Sequence, residues 1–114
     1  MSESQVALDK TRRKNLGRFL QAMPELAAQL GAQVEEAYKD GAIDAKTKRL
    51  MALALALGAG CRNCVLGQAT AALDQGATTG ELLETIGVVV SMRGTTGVAE
   101  SLRLIQLLDE LEKL

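Results

Sequence analysis

The sequence predicts an all-α fold, a compact bundle of about five to six helices, and three observations carry that prediction. The apolar content comes almost wholly from Leu, Ala, Val and Met, with Phe19 and Tyr38 the only aromatics, and such residues favour helices over strands. Apolar positions recur at helical spacing in segment after segment. Each segment is flanked by residues suited to opening or closing a helix. With 114 residues, the chain is expected to form one domain over residues 1–114 and to bury roughly two-thirds of the surface its unfolded form exposes. Residues 1–22 read as a helical N-terminal extension of that domain.

The first helix is expected from about Gln5 to Ala22, with Leu8, Leu16, Phe19 and Leu20 as its apolar positions. It must stop before Pro24, which disfavours the helical region for its predecessor and itself suits a first turn. A second helix runs to about Lys39, with Leu26, Leu30, Val34 and Tyr38 recurring every four residues, and Gly41 is expected to cap it. Asp44 can accept from the free amides of a third helix, Ala45 to Leu57, whose first turns are basic and whose remainder is apolar. The apolar run is far shorter than the ~20 residues of a spanning helix. It reads as a core helix, either central or at a subunit interface.

Gly58 and Gly60 are expected to break that helix and set Cys61 at the start of a fourth, which runs to Asp74 and closes at Gly76. Thr78 with Glu81 forms a capping-box signature for a fifth helix to about Met92. After Gly94, Thr95 or Thr96 is expected to cap the last helix, whose stripe is Leu104, Leu108 and Leu111. Val88, Val89 and Val90 have strand propensity, but a lone strand would find no partner here.

A net charge of -1 argues against a general nucleic-acid or membrane-surface binder. Lys10, Arg12, Arg13, Lys14 and Arg18 cluster near the start. They are read as a solvated helix face in a mobile N-terminal region, with no aromatic among them to stack on bases. The opening MSESQVALDK lacks the apolar stretch of a secretory signal, so a cytoplasmic location is expected. The chain has no histidine, which excludes Ser-His and Cys-His hydrolase mechanisms. It also weakens a zinc reading, because two thiolates fall short of four ligands unless two protomers pool them.

In a reducing cytoplasm, two cysteines three residues apart point to catalysis, redox activity or metal binding before a structural staple. Cys61-Arg62-Asn63-Cys64 has the spacing that lets two thiols at a helix start close into a disulfide. Free amides and the positive helix end favour thiolate there and can lower a cysteine pKa from its usual ~8.5, and Arg62 adds positive charge. The plain alternative is two small buried apolar residues without chemistry.

The stretch from Lys46 to Ala56, then Gly60 to Cys64, then Ala71-Ala72-Leu73 and Gly76-Ala77-Thr78, resembles the core of the alkylhydroperoxidase (AhpD-like) and carboxymuconolactone decarboxylase family. The likeness extends loosely from about Pro24 to Gly94. It implies an all-helical subunit that assembles into trimers or hexamers, with a redox C-x-x-C at a helix start and neither cofactor nor metal. In thiol-active members, a histidine four residues after the second cysteine and a glutamate twelve before the first form a proton relay. Those positions hold Gln68 and Arg49 here, and neither accepts a proton near neutral pH.

Gln68 shares a helix face with Cys64 and can donate a hydrogen bond to a thiolate. Arg49 would favour a thiolate if it points inward, or would stand exposed beside Lys46 and Lys48. Glu36 and Glu100 are alternative proton acceptors. The decarboxylase branch generally lacks the cysteine pair, so the resemblance favours the redox branch. It implies a thiol-disulfide oxidoreductase or alkylhydroperoxidase-like antioxidant protein of low peroxidase activity, with Cys61 and Cys64 catalytic and Gln68 and Arg49 supporting. Helix-start exposure favours Cys61 as the attacking sulfur, whereas the family's relay would have served Cys64. A small peroxide or disulfide substrate and a thiol reductant follow, with no nucleic-acid or membrane partner. The competing readings are a non-catalytic redox sensor or binding module, and a cofactor-free decarboxylase or lyase acting on a small organic acid.

Overall fold

A computed structural model describes residues 3–114, so residues 1 and 2 of the expected extension lie outside the described residues. The described residues form six helices and no strand: α1 (Gln5–Ala22), α2 (Pro24–Tyr38), α3 (Ala45–Ala59), α4 (Arg62–Asp74), α5 (Thr79–Arg93) and α6 (Thr95–Glu110). The valine run at 88–90 is helical, inside α5. α3 is the hub, packed most extensively on α4 and α5 and also meeting α6 and α2. Leu53 and Leu57 of α3 close the core with Leu66 of α4, Leu82 of α5, and Leu104 and Leu108 of α6, all essentially inaccessible to solvent.

The α3 stretch expected to lie in the core is only half enclosed. Leu55 is 75% exposed and Met51 50%, because four neighbouring helices cannot surround a helix that is apolar on every side. Across α5 the bare surface continues with Val88 and with Met92, 81% exposed. α2 has no buried residue, and its stripe of Leu26, Leu30 and Val34 stands in solvent.

The helix ends follow local chemistry, with three corrections. Asp44 accepts from the Thr47 amide at 2.7 Å, and Thr78 and Glu81 form the reciprocal capping box. Gly58, expected to break α3, is inside it. Gly60 alone ends the helix, at φ +70°, with its N–H directed to Leu57 O and the Cys61 N–H to Ala56 O. That paired pattern needs one residue in the left-handed region, where glycine carries no Cβ penalty. Gly41 does not cap α2, which ends in extended backbone at Lys39; the Lys48 ammonium takes the Lys39 carbonyl at 2.6 Å. Neither Thr95 nor Thr96 caps α6, because Gly94 at φ +61° serves as the hinge between α5 and α6 and Thr95 is already helical.

The N-terminal segment is packed on the bundle; Lys10, Arg13, Lys14 and Arg18 are exposed, as expected of a solvated basic face, and Arg12 is not. Gln5 and Asp9 are buried. The Asp9 carboxylate accepts from Arg12 Nε at 2.8 Å and pairs with Arg13 Nε at 3.0 Å, and Gln5 Oε1 accepts from Arg103 at 2.7 Å. Charges compensated in this way can be brought against α4 and α6.

Glu110 of α6 completes the attachment. Its carboxylate accepts from the Ser4 hydroxyl and from the Gln5 and Val6 amides, and these bonds hold its pKa below the usual glutamate value. A lowered folded pKa gives stability that is present above the unfolded value of about 4.3 and is lost as pH falls through the folded value. Acidification below about pH 4 is therefore expected to loosen the start of α1. Amide exchange at residues 5–8 checks this, and Glu110→Gln should abolish the pH dependence.

Candidate redox site

The turn between α3 and α4 places the two sulfurs. Gly60 reverses the chain, and Cys61, in extended backbone at φ -92°, is the N-cap of α4 rather than its first helical residue. Its sulfur accepts from the Cys64 amide at 3.3 Å, in the position a serine or aspartate oxygen usually takes. Cys61 and Cys64 form a disulfide with their Cα atoms 5.2 Å apart. Cys61 is half-buried and Cys64 is exposed, so the more open residue of the pair is the second one, opposite to what helix-start exposure implied.

Cys64 opens on a cleft of about 540 Å³ between α1 and the first two turns of α4. Gln68, one turn beyond Cys64, lines the same cleft. Its side-chain oxygen accepts from Arg49 Nη1 at 3.1 Å. Arg49 therefore points inward, and its guanidinium also lies over the Tyr38 ring, 3.6 Å from the centroid. Its neighbours take other partners: Lys46 pairs with Glu81 at 2.9 Å, and Lys48 reaches the end of α2. The two positions at which the resemblance places a glutamate and a histidine are thus in direct contact across α3 and α4, joined by a hydrogen bond that carries no titratable acceptor.

Of the two alternative carboxylates, Glu36 lies on α2 and pairs with Lys39 at 3.0 Å, away from the cleft lining. Glu100 lies against the turn itself, where a Cβ added at Gly60 would stand 3.6 Å from its carboxyl carbon. It is the carboxylate adjoining the Cys61 side of the pair.

The profile of the Carboxymuconolactone decarboxylase family matches residues 24–107. The chain belongs to that family. The crystal structure of a carboxymuconolactone decarboxylase family protein from Legionella pneumophila superposes with a TM-score of 0.88 at 33% identity, covering 98% of this chain and 100% of that one. Among curated sequences, uncharacterized protein 4 in the cox locus of Paracoccus denitrificans is 31% identical over 105 residues, spanning 80% of this chain and 95% of its own. An uncharacterized protein of Cupriavidus necator is 31% identical over 98 residues, covering 86% and 87% respectively.

The family match begins at Pro24, so α1 lies outside it. Yet α1 supplies Leu8, Arg12, Leu16 and Phe19 to the cleft wall. Sequence reasoning missed Arg12 because a basic run at a chain start ordinarily marks a solvated face. The available signal was Asp9, three residues before it and able to reach both Arg12 and Arg13 on one helix face.

Proposed function

We propose that this carboxymuconolactone decarboxylase family member is a thiol-disulfide oxidoreductase that cycles Cys61 and Cys64 between disulfide and dithiol. One observation carries the reading: Cys64, exposed and lining the cleft, is bonded to a sulfur that already holds a helix-start amide. An incoming thiolate attacks Cys64 Sγ, the S–S bond breaks, and Cys61 leaves with the electron pair. The Cys64 N–H and the positive end of α4 stabilise the departing thiolate, and a stabilised leaving thiol departs faster. A second thiol of the donor then attacks its own sulfur in the mixed disulfide and releases Cys64. The donor dithiol is oxidised, the protein pair is reduced, and the donor's two protons pass by way of solvent to the two protein sulfurs.

Peroxide reduction is the poorer fit. Protonating a departing alkoxide needs a donor beside the attacking sulfur, and the Arg49–Gln68 contact occupies the two positions where the family resemblance places the relay. Gln68 is assigned the role of a hydrogen-bond donor to the Cys64 thiolate, and Arg49 that of fixing the Gln68 amide. The bare face of Met51, Leu55, Val88 and Met92 fits contact between copies of this chain, so the working form is a homo-oligomer. No helix of the described residues is long and apolar enough to cross a membrane. We place the cycle in the cytoplasm, where thiol reductants are at hand.

The experiment is a thiol count on the folded protein. Oxidised protein should resist alkylation, treatment with dithiothreitol should expose two alkylatable cysteines, and a small disulfide oxidant should remove both again. A folded chain whose pair stays closed to dithiothreitol would overturn the proposal.

A further inference from the structure

The wall opposite Cys64 carries a charge pattern that thiol exchange alone does not require. Arg12 is tethered: Nε is held by Asp9 at 2.8 Å, and the side chain is 18% exposed. The guanidinium lies flat on α4 at Gly67, where an added Cβ would meet Nη1 at 3.2 Å. A side chain at position 67 would displace it. With Nε committed to Asp9, the Nη edge is the part of the guanidinium that Asp9 does not engage, and Arg12 lines the cleft beside Gly67, three residues along α4 from Cys64.

The surroundings leave that edge without a counter-ion of its own. Asp9 is shared between Arg12 and Arg13, so the three groups together keep one positive charge. Among the described residues the cleft lining contains Arg12 and Arg62 and no carboxylate. Among the described residues, Arg62 is paired with Glu3, at 3.8 Å, at the exposed rim. The N-terminal end of α4 adds positive character on the same side. Next to this charge, Leu16 and Phe19 lie four and seven residues beyond Arg12 on the same wall, offering an apolar bed for a short carbon body.

We infer that the cleft selects small disulfides bearing a carboxylate, with Arg12 holding the carboxylate through its free Nη edge while the reacting sulfur sits at Cys64. The inference rests on the exchange chemistry proposed above. A planar guanidinium fixed on one side by Asp9 offers a pre-set fork to a carboxylate, which a mobile lysine does not.

The test uses two aryl disulfides on reduced protein: dithiobis(nitrobenzoate), which carries a carboxylate on each ring, and neutral dithiodipyridine. In both, the Cys64 thiolate attacks one ring sulfur, the aryl S–S bond breaks, and one aryl thiolate leaves with the electron pair. Cys61, losing its proton to solvent, then attacks Cys64 Sγ and releases the second, so two electrons pass from the cysteine pair to the reagent. The ratio of the two second-order rate constants, anionic over neutral, is expected to fall about tenfold in Arg12→Gln and to be partly kept in Arg12→Lys. In the unmutated protein, rising salt should lower the same ratio, which keeps the test open should Arg12→Gln fail to fold. A ratio unmoved by the substitution or by salt overturns the inference and leaves the exchange reading intact. Failure of both reagents to react overturns both.

Discussion

Cys64→Ser is expected to slow exchange with a neutral aryl disulfide by at least about a thousandfold, because it removes the sulfur that meets the substrate. The remaining Cys61 is half-buried behind the turn and does not line the cleft. Cys61→Ser should behave differently. Its Cys64 still attacks and releases one aryl thiolate, but no second thiolate stands ready to resolve the mixed disulfide. Rapid mixing should show a single equivalent released per subunit, and intact mass should show the adduct persisting until an external thiol is added. The opposite pattern, with Cys61→Ser inert and Cys64→Ser trapping the adduct, would reverse the two roles.

The second large effect concerns assembly. Leu55 and Met92 are 75% and 81% exposed on adjoining helices. Covering each against another copy is worth about 1.5–3 kcal/mol per side chain, and an interface repeats that gain in every subunit. Leu55→Asp combined with Met92→Asp should therefore convert the proposed homo-oligomer into a monomer, read as molar mass by light scattering. Neither residue belongs to the core cluster, so the helical circular dichroism of the core helices should survive. Equal molar mass for the two proteins would remove this face as the contact.

Most of the helical frame was legible in the sequence because short-range chemistry sets it. Asp44, Thr78 with Glu81, Pro24 and Gly60 each satisfy or release backbone groups within a turn of themselves, and each stands where it was expected. Gly58 was misleading, since glycine lowers helix stability without forbidding a helix, and only the positive φ at position 60 marks the end. The Gly94 hinge displaced the expected threonine caps because a glycine can serve as the boundary residue of two helices at once.

The candidate site was legible in part. Cys61, Cys64, Arg49 and Gln68 were all named from sequence, yet nothing local says that Arg49 and Gln68, nineteen residues apart, would bond to each other. Burial of Asp9 and the laying of Arg12 across Gly67 depend on how α1 settles on α4, a contact between segments more than fifty residues apart that no periodicity encodes. Leu26, Leu30 and Val34 recur on one helix as expected, but periodicity alone does not say what a stripe faces, and this one faces solvent.

A sulfur that doubles as a helix cap gives the pair an electrochemical bias. As the bond opens in the proposed exchange, the departing Cys61 sulfur keeps the Cys64 N–H as its donor at the positive end of α4, so the fold favours the reduced form. In the proposed cycle this bias is expected to draw the reduction potential to less negative values than that of an unstructured dithiol, which equilibration against a glutathione redox buffer would read.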